Sequence, residues 1–335
     1  AARSGTTTLW QHLKAHPQIF MPTDELHKEP AFFSDKGVAR GMDNYLRLFR
    51  EATPDQVRIG EASTAYLTDP TSAQRIHEFD PNAKIIVLLR NPAERAYSLY
   101  RWMAQDGYER AETFEDALQL EEERSHKVIP NWLEPEYFGN YMYFKSGLYS
   151  AQVSRYLDLF GDNVLVIDFA DIKSNFPAVY QRVCDFLTVV PKVPSNDAHN
   201  AAKRIYSPAA QFVLRKVTNN LLTNRTESQK SLATGEFVSA FLRNSRELYK
   251  RSGQKVRWRC SWTLLCRFRN EVRGKFFHDR PLETKEQRDL LLRLGIEAGR
   301  PDRLNDATRL GLIEAYQDDI RTLEKLLRRK FQHWA

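Results

Sequence analysis

The chain has 335 residues, 42% of them hydrophobic and 28% charged, which excludes a disordered or collagen-like polypeptide and gives length enough to bury a sizeable core. Its net charge of +7 is unevenly spread: residues 201–300 hold 22 Lys/Arg against 9 Asp/Glu, a net of +13, and the other 235 residues hold 28 against 34, a net of −6. The longest apolar runs, 85–89 and 164–167, fall far below the roughly 18 residues of a membrane span.

The chain opens on Ala1-Ala2-Arg3-Ser4-Gly5-Thr6-Thr7-Thr8. A turn of this kind follows a strand, so the first strand and any targeting segment are expected upstream of Ala1. Leu9, Trp10 and Leu13 then predict a helix of two to three turns that stops at His16-Pro17. Ile85-Ile86-Val87-Leu88-Leu89, bounded by Asp80-Pro81-Asn82 and Asn91-Pro92, reads as a buried strand of a parallel sheet. A helix over 93–103 follows, with Pro92 just inside its start. Val164-Leu165-Val166-Ile167 repeats the theme between predicted helices near 151–160 and 177–187. This alternation implies an α/β domain with a central parallel sheet flanked by helices.

Residues 201–304 lose the alternation and read as a basic, mainly helical insertion, with helical or irregular stretches near 213–222, 237–249 and 256–268. From Asn305 onward, Leu310, Ile313, Tyr316, Ile320, Leu323, Leu326 and Leu327 keep a helical period to the end of the chain. The expectation is one domain over 1–335: a core of 1–200, the insertion at 201–304, and a closing helix at 305–335. Three cysteines, Cys184, Cys260 and Cys266, are poorly spaced for zinc, so a reducing, cytoplasmic setting without disulfide or metal is expected.

Arg3, Gly5, Thr6 and Thr7 place small residues with free backbone N–H groups and a cation at a helix start, which makes an anion cradle. An ordinary threonine N-cap reads equally well from this stretch alone. The Gly-Lys-Ser/Thr of a Walker A loop is missing, which argues against an ATP-dependent kinase of the P-loop type. Arg90 stands at the C-terminal end of the 85–89 strand and Ser98 on the next helix, where open α/β sheets bind ligands. Two phosphate sites on one sheet edge suggest a bisphosphorylated nucleotide.

Arg3-Ser4-Gly5-Thr6-Thr7, Leu89-Arg90-Asn91-Pro92-x-x-Arg95-Ala96-Tyr97-Ser98 and Gly147-Leu148-Tyr149-Ser150 together resemble the sulfotransferase superfamily, and bacterial carbohydrate-type and heparan sulfate sulfotransferases most closely. The resemblance covers residues 1 to about 200 and resumes from about 305 with the helix ending Phe331-Gln332-His333-Trp334. It implies a P-loop-like three-layer fold and 3′-phosphoadenosine 5′-phosphosulfate (PAPS) as donor, with no metal. The 5′-phosphosulfate would sit on Arg3, Ser4, Gly5, Thr6, Thr7 and Thr8, and the 3′-phosphate on Arg90 and Ser98. The family most often has Lys where this chain has Arg3. Lys203 and Arg204 are further cofactor candidates from the family's basic residues in that neighbourhood.

In His27-Lys28-Glu29-Pro30-Ala31-Phe32-Phe33 the resemblance makes Glu29 the general base, a carboxylate held against aromatic surface, and Lys28 a partner for the transferring group or for Glu29 itself. A solvated loop glutamate is the bland alternative. His27 and His12 are weaker candidates. Gly60-Glu61-Ala62-Ser63-Thr64-Ala65-Tyr66 matches a segment lining the acceptor pocket, so Glu61, Ser63 and Tyr66 are expected acceptor contacts, although Tyr66 also fits the core. Ala62 stands where heparan-type enzymes carry a lysine. The expected acceptor is a carbohydrate, anionic if the basic region steers it.

The arginines and aromatics near 251–277 suit either an amphipathic insertion or contact with an anionic membrane surface, and no clear nucleic-acid partner emerges. A catalytically silent relative that binds nucleic acid or membrane through this region is the alternative to an enzyme.

Overall fold

A computed structural model describes residues 1–22, 28–35, 37–105, 108–109, 111, 113–125, 141–191 and 303–334. The basic segment, Lys203, Arg204, His27, Cys260 and Cys266 lie outside the described residues.

The elements in chain order are α1 (Thr6–Lys14), β1 (Ile19–Phe20), α2 (Met42–Leu46), β2 (Arg58–Ile59), α3 (Ala65–Thr68), α4 (Ser72–Phe79), β3 (Ile85–Leu89), α5 (Pro92–Gln105), α6 (Phe114–Ser125), α7 (Tyr149–Phe160), β4 (Val164–Asp168), α8 (Phe169–Ser174), α9 (Phe176–Leu187) and α10 (Asp306–Leu327). β3 and β4 pair in parallel, Ile85 with Val164 through Leu89 with Asp168, and β1 pairs in parallel with β2. The fold is α/β.

Alternation along the strands decides which layer each residue joins. Val87, Leu89 and Val166 face a core shared with α4, α5, α7 and α10, while Ile86, Leu88, Leu165 and Ile167 face a second core with α1 and α9. Helices therefore cover both faces of the β3–β4 pair. The expected strands and their helices stand where the aliphatic runs placed them, with Asn175 capping α9 through the amide of Ala178.

One expectation needs correction. The closing helix does not run to Trp334: α10 ends at Leu327, where Arg328 takes a left-handed conformation (φ 51°), and Gln332–Trp334 form a separate 3₁₀ turn. The amide of Phe331 turns back to Glu324 Oε1 at 2.7 Å, and Phe331 stacks on the buried Trp334.

The Gly147-Leu148-Tyr149-Ser150 motif fastens α10 to α7. Asp319 accepts from the amides of Tyr149 (2.6 Å) and Ser150, and from the Ser150 hydroxyl. A Cβ on Gly147 would lie 2.6 Å from Tyr316 Oη, so only glycine fits beneath that ring. The same helix start reaches the sheet edge, where Tyr149 Oη donates to Arg90 O at 3.0 Å.

Candidate active site

The first turn of α1 is built to leave its amides open. Gly5 is the N-cap at φ 84°, and no side chain caps the helix. Leu9 N makes the first intrahelical bond, to Gly5 O at 3.2 Å, so the N–H groups of Thr6, Thr7 and Thr8 have no acceptor within the helix. Gly5 is required twice: for its positive φ, and because a Cβ would lie 2.9 Å from the Phe169 ring. Ser4 is fully buried, and its hydroxyl has no partner among the described residues.

The two stretches expected to bind phosphate meet at this turn. Arg3 Nε donates to Ser98 Oγ at 3.3 Å, and Arg90 Nη1 donates to Arg3 O at 3.2 Å. The Arg90 guanidinium lies 5.1 Å from the centre of the Phe169 ring, and burial pulls its pKa below the usual arginine range. Arg95, one helical turn before Ser98, does something else. It is buried and holds Tyr143 O (2.7 Å) and Ser146 Oγ (2.9 Å), so it fixes the backbone behind the site.

The other half of the site enters from residues 28–33. The buried Lys28 ammonium lies 3.0 Å from Thr7 Oγ1 in the first turn of α1 and 2.7 Å from Glu29 Oε1. The opposite oxygen of Glu29 accepts from Thr64 N (3.1 Å) and Thr64 Oγ1 (2.7 Å). Glu29 thus sits between a cation and a threonine, and the aromatic layer of Phe32, Phe33, Tyr45 and Tyr66 gathers around Glu61 instead.

Glu61 accepts from Ser63 N at 2.9 Å, from Tyr66 Oη, and from Tyr45 Oη at 3.5 Å. Burial pushes its carboxyl up to about 7, against the opposing pull of the Ser63 and Tyr66 hydrogen bonds and with the help of the Glu29 charge. The hydroxyls of Ser63 and Tyr66 accept from Ala31 N (2.8 Å) and Phe33 N (3.3 Å), so both hold the 28–33 segment in place. Ala62 N donates to Lys28 O at 3.1 Å. His12 is buried against Phe176 and Tyr180, away from these groups.

Three contributors escaped the sequence reading. Thr64 lies inside the 60–66 motif, but only the fold brings its amide and hydroxyl to Glu29. Phe169, which packs under both Gly5 and Arg90, follows directly on β4, and the rule that open sheets bind ligands at strand C-termini points to it. Asp168, at the same strand end, is buried and shares a 2.8 Å hydrogen bond with His333. Among the described residues, no group of three or more His, Cys, Asp or Glu side chains is arranged to hold a metal, and no helix is long and apolar enough to cross a membrane.

In this α/β fold the edge of the parallel β3–β4 pair brings together a helix start with open amides, two arginines and a lysine–glutamate pair. The chain belongs to the sulfotransferase domain family, whose model matches residues 1–264. That match runs into the stretch read from composition as an insertion. The chain is 27% identical over 205 residues to the mouse bifunctional heparan sulfate N-deacetylase/N-sulfotransferase 4, covering 58% of this chain and 22% of that protein. It is 23% identical over 216 residues to mouse heparan sulfate glucosamine 3-O-sulfotransferase 5, covering 64% and 59%. A solved sulfotransferase from Alicyclobacillus acidocaldarius matches with a TM-score of 0.59 and 25% identity, over 100% of this chain and 95% of that one. The chain thus spans between about a fifth and three fifths of the length of these curated relatives.

Proposed function

We propose that the chain transfers a sulfuryl group from PAPS to a hydroxyl or amine of a carbohydrate acceptor. The observation that carries this reading is the Lys28 ammonium, which touches Thr7 in the first turn of α1 and Glu29 at once and so couples a phosphate-type turn to a carboxylate. The carbohydrate acceptor rests on the heparan sulfate enzymes among the relatives.

The donor's fit is supported by three features of the turn: the uncapped amides of Thr6 to Thr8, the buried Ser4 hydroxyl without a partner, and the Gly5 position that a Cβ would fill. This P-loop-like turn would hold the 5′-phosphosulfate through those amides, Ser4 and Arg3. Arg90 and Ser98 would hold the 3′-phosphate, Arg90 as a partly desolvated cation whose charge is worth more there than in water. When bound, the donor supplies an electrophilic sulfur whose bond to the 5′-phosphate oxygen breaks as the acceptor oxygen or nitrogen bonds to sulfur.

Glu29 takes the acceptor's proton at the carboxylate oxygen that Thr64 orients. Lys28 and Arg3 offset the negative charge that builds on the departing phosphate, and positioning with charge stabilisation supplies most of the rate. The domain reading goes with this: one catalytic unit closed by α10, with the positive charge of the basic segment steering an anionic acceptor.

Titration calorimetry with 3′-phosphoadenosine 5′-phosphate tests the donor assignment. Affinity should fall about tenfold or more in Arg90→Ala and in Ser98→Ala, the loss expected for one charge-assisted hydrogen bond. Equal affinity for AMP and the 3′-phosphorylated nucleotide would overturn it.

A further inference from the structure

Glu61 lies just past β2 and has no part in the transfer described above. No lysine or arginine of the described residues pairs with it; its oxygens accept from Ser63 N, Tyr66 Oη and Tyr45 Oη, and the Ser63 hydroxyl bonds to it as well. The next amide along the chain, that of Thr64, goes to Glu29. Two consecutive amides are therefore divided between two carboxylates. The two amides sit on adjacent peptide units that meet at the Ser63 Cα, so a change in the Ser63 dihedrals shifts one amide relative to the other.

The surrounding bonds make this turn a template for the 28–33 segment. Lys28 O, Ala31 N and Phe33 N are tied to Ala62, Ser63 and Tyr66 in the same order along both stretches. Ala31 is held at φ 48°, an uncommon conformation for a residue with a side chain, so the segment is shaped by these partners more than by its own preference.

We propose that Glu61 is a positioning residue of the transfer reaction: by holding the Ser63 amide and the Tyr66 hydroxyl it fixes the turn through which Thr64 aims the Glu29 carboxylate. This rests on the reading of Glu29 as the base. The groups that face Glu61 are Tyr45 from α2, Tyr66 from α3, and Glu29 with its Lys28 partner. Burial and the Glu61 charge raise both tyrosines far above the usual phenol range, so neither loses its proton near neutrality. With burial holding the Glu61 carboxyl at about 7, all its oxygens accept only above that pH. Below it, the carboxyl's own proton competes with the tyrosine hydroxyls, the turn loosens, and turnover falls.

The test is single-turnover release of labelled sulfate from PAPS to water, which needs no knowledge of the natural acceptor, run from pH 5.5 to 8.5 beside calorimetry with 3′-phosphoadenosine 5′-phosphate. Glu61→Gln, which fixes the neutral state, should leave nucleotide affinity unchanged, lower the rate at pH 8 by about 10- to 100-fold, and remove the inflection near pH 7. Thr64→Val should show a similar loss, and the double variant should be little worse than either single one, because both act through the same turn. A Glu61→Gln enzyme with the wild-type rate and inflection, beside an inactive Glu29→Gln, would overturn the role of Glu61 alone. An active Glu29→Gln would remove the base and this proposal together. A crystal structure of Glu61→Gln serves as a second measurement: Thr64 N and Oγ1 still bonded to Glu29 would overturn the coupling.

Discussion

Glu109 and Glu61 both accept from a tyrosine hydroxyl, Glu109 fully buried and Glu61 partly so, and their surroundings drive them in opposite directions. At the joint behind α5 and α6, Glu109 receives Arg124 through both nitrogens at 2.7 Å, with Ala111 N at 2.8 Å and Tyr143 Oη at 2.7 Å. Burial alone would raise its pKa, but the Arg124 hydrogen bonds and charge outweigh it and hold the carboxyl below its usual range. Beside the 28–33 segment, Glu61 has similar neutral donors and no such cation, and burial wins. The difference separates a fixed joint from a group that responds to pH near neutrality.

The largest effect should come from turning Glu109 into a second Glu61. Arg124→Met leaves a buried carboxylate without its cation and should cost about 3–5 kcal/mol at pH 8, read from urea midpoints. The sign of the pH dependence should also invert. In the wild type the contribution of Glu109 is present above the unfolded pKa of about 4.3 and is lost as pH falls through the depressed folded value. In Arg124→Met the folded pKa is raised, so the loss should shrink toward pH 5. A loss below about 1 kcal/mol at pH 8 would mean that the pair does not hold the joint.

The donor turn provides a contrast that involves no titration. Gly5→Ala forces a side chain into a left-handed position against the Phe169 ring and should destabilise by about 2 kcal/mol. It should also weaken binding of 3′-phosphoadenosine 5′-phosphate. Unchanged binding would separate this turn from the phosphates.

The smallest effect is a gain. The raised pKa of Glu61 makes its ionisation a cost that grows as pH rises from about 4.3 to about 7. Glu61→Gln should therefore match the wild type near pH 5 and exceed it by on the order of 1 kcal/mol at pH 8, while losing activity. A variant that is less stable than the wild type at pH 8 would show that the ionised form is not strained.

The parts of the fold that could be read from sequence were those with a long, one-sided signal. Ile85 to Leu89 is a continuous aliphatic run between turn residues and Val164 to Ile167 is another, whereas their parallel pairing and register come from the fold. The β1–β2 pair is two residues long on each side, too short for any period to declare itself. The end of α10 was misread because Phe331 and Trp334 continue an apolar pattern, although Arg328 has already broken the helix. In the site, Arg3, Arg90 and Ser98 were found by motif, and their meeting at the sheet edge is a product of the fold. The Thr64–Glu29 bond joins residues 35 apart, and Glu61 owes its character to rings from α2 and α3, so neither was visible along the chain.

In the function proposed above, this site passes a sulfuryl group to an acceptor that Glu29 deprotonates. Comparing Glu29→Gln with the wild type tests it most directly, with nucleotide affinity and single-turnover transfer from labelled PAPS measured on the same preparations. Affinity for 3′-phosphoadenosine 5′-phosphate should stay within about threefold, because the residues proposed to hold the phosphates are untouched, and the transfer rate should fall by about 10²- to 10⁴-fold. A Glu29→Gln protein that binds the nucleotide and transfers at the wild-type rate would contradict the account.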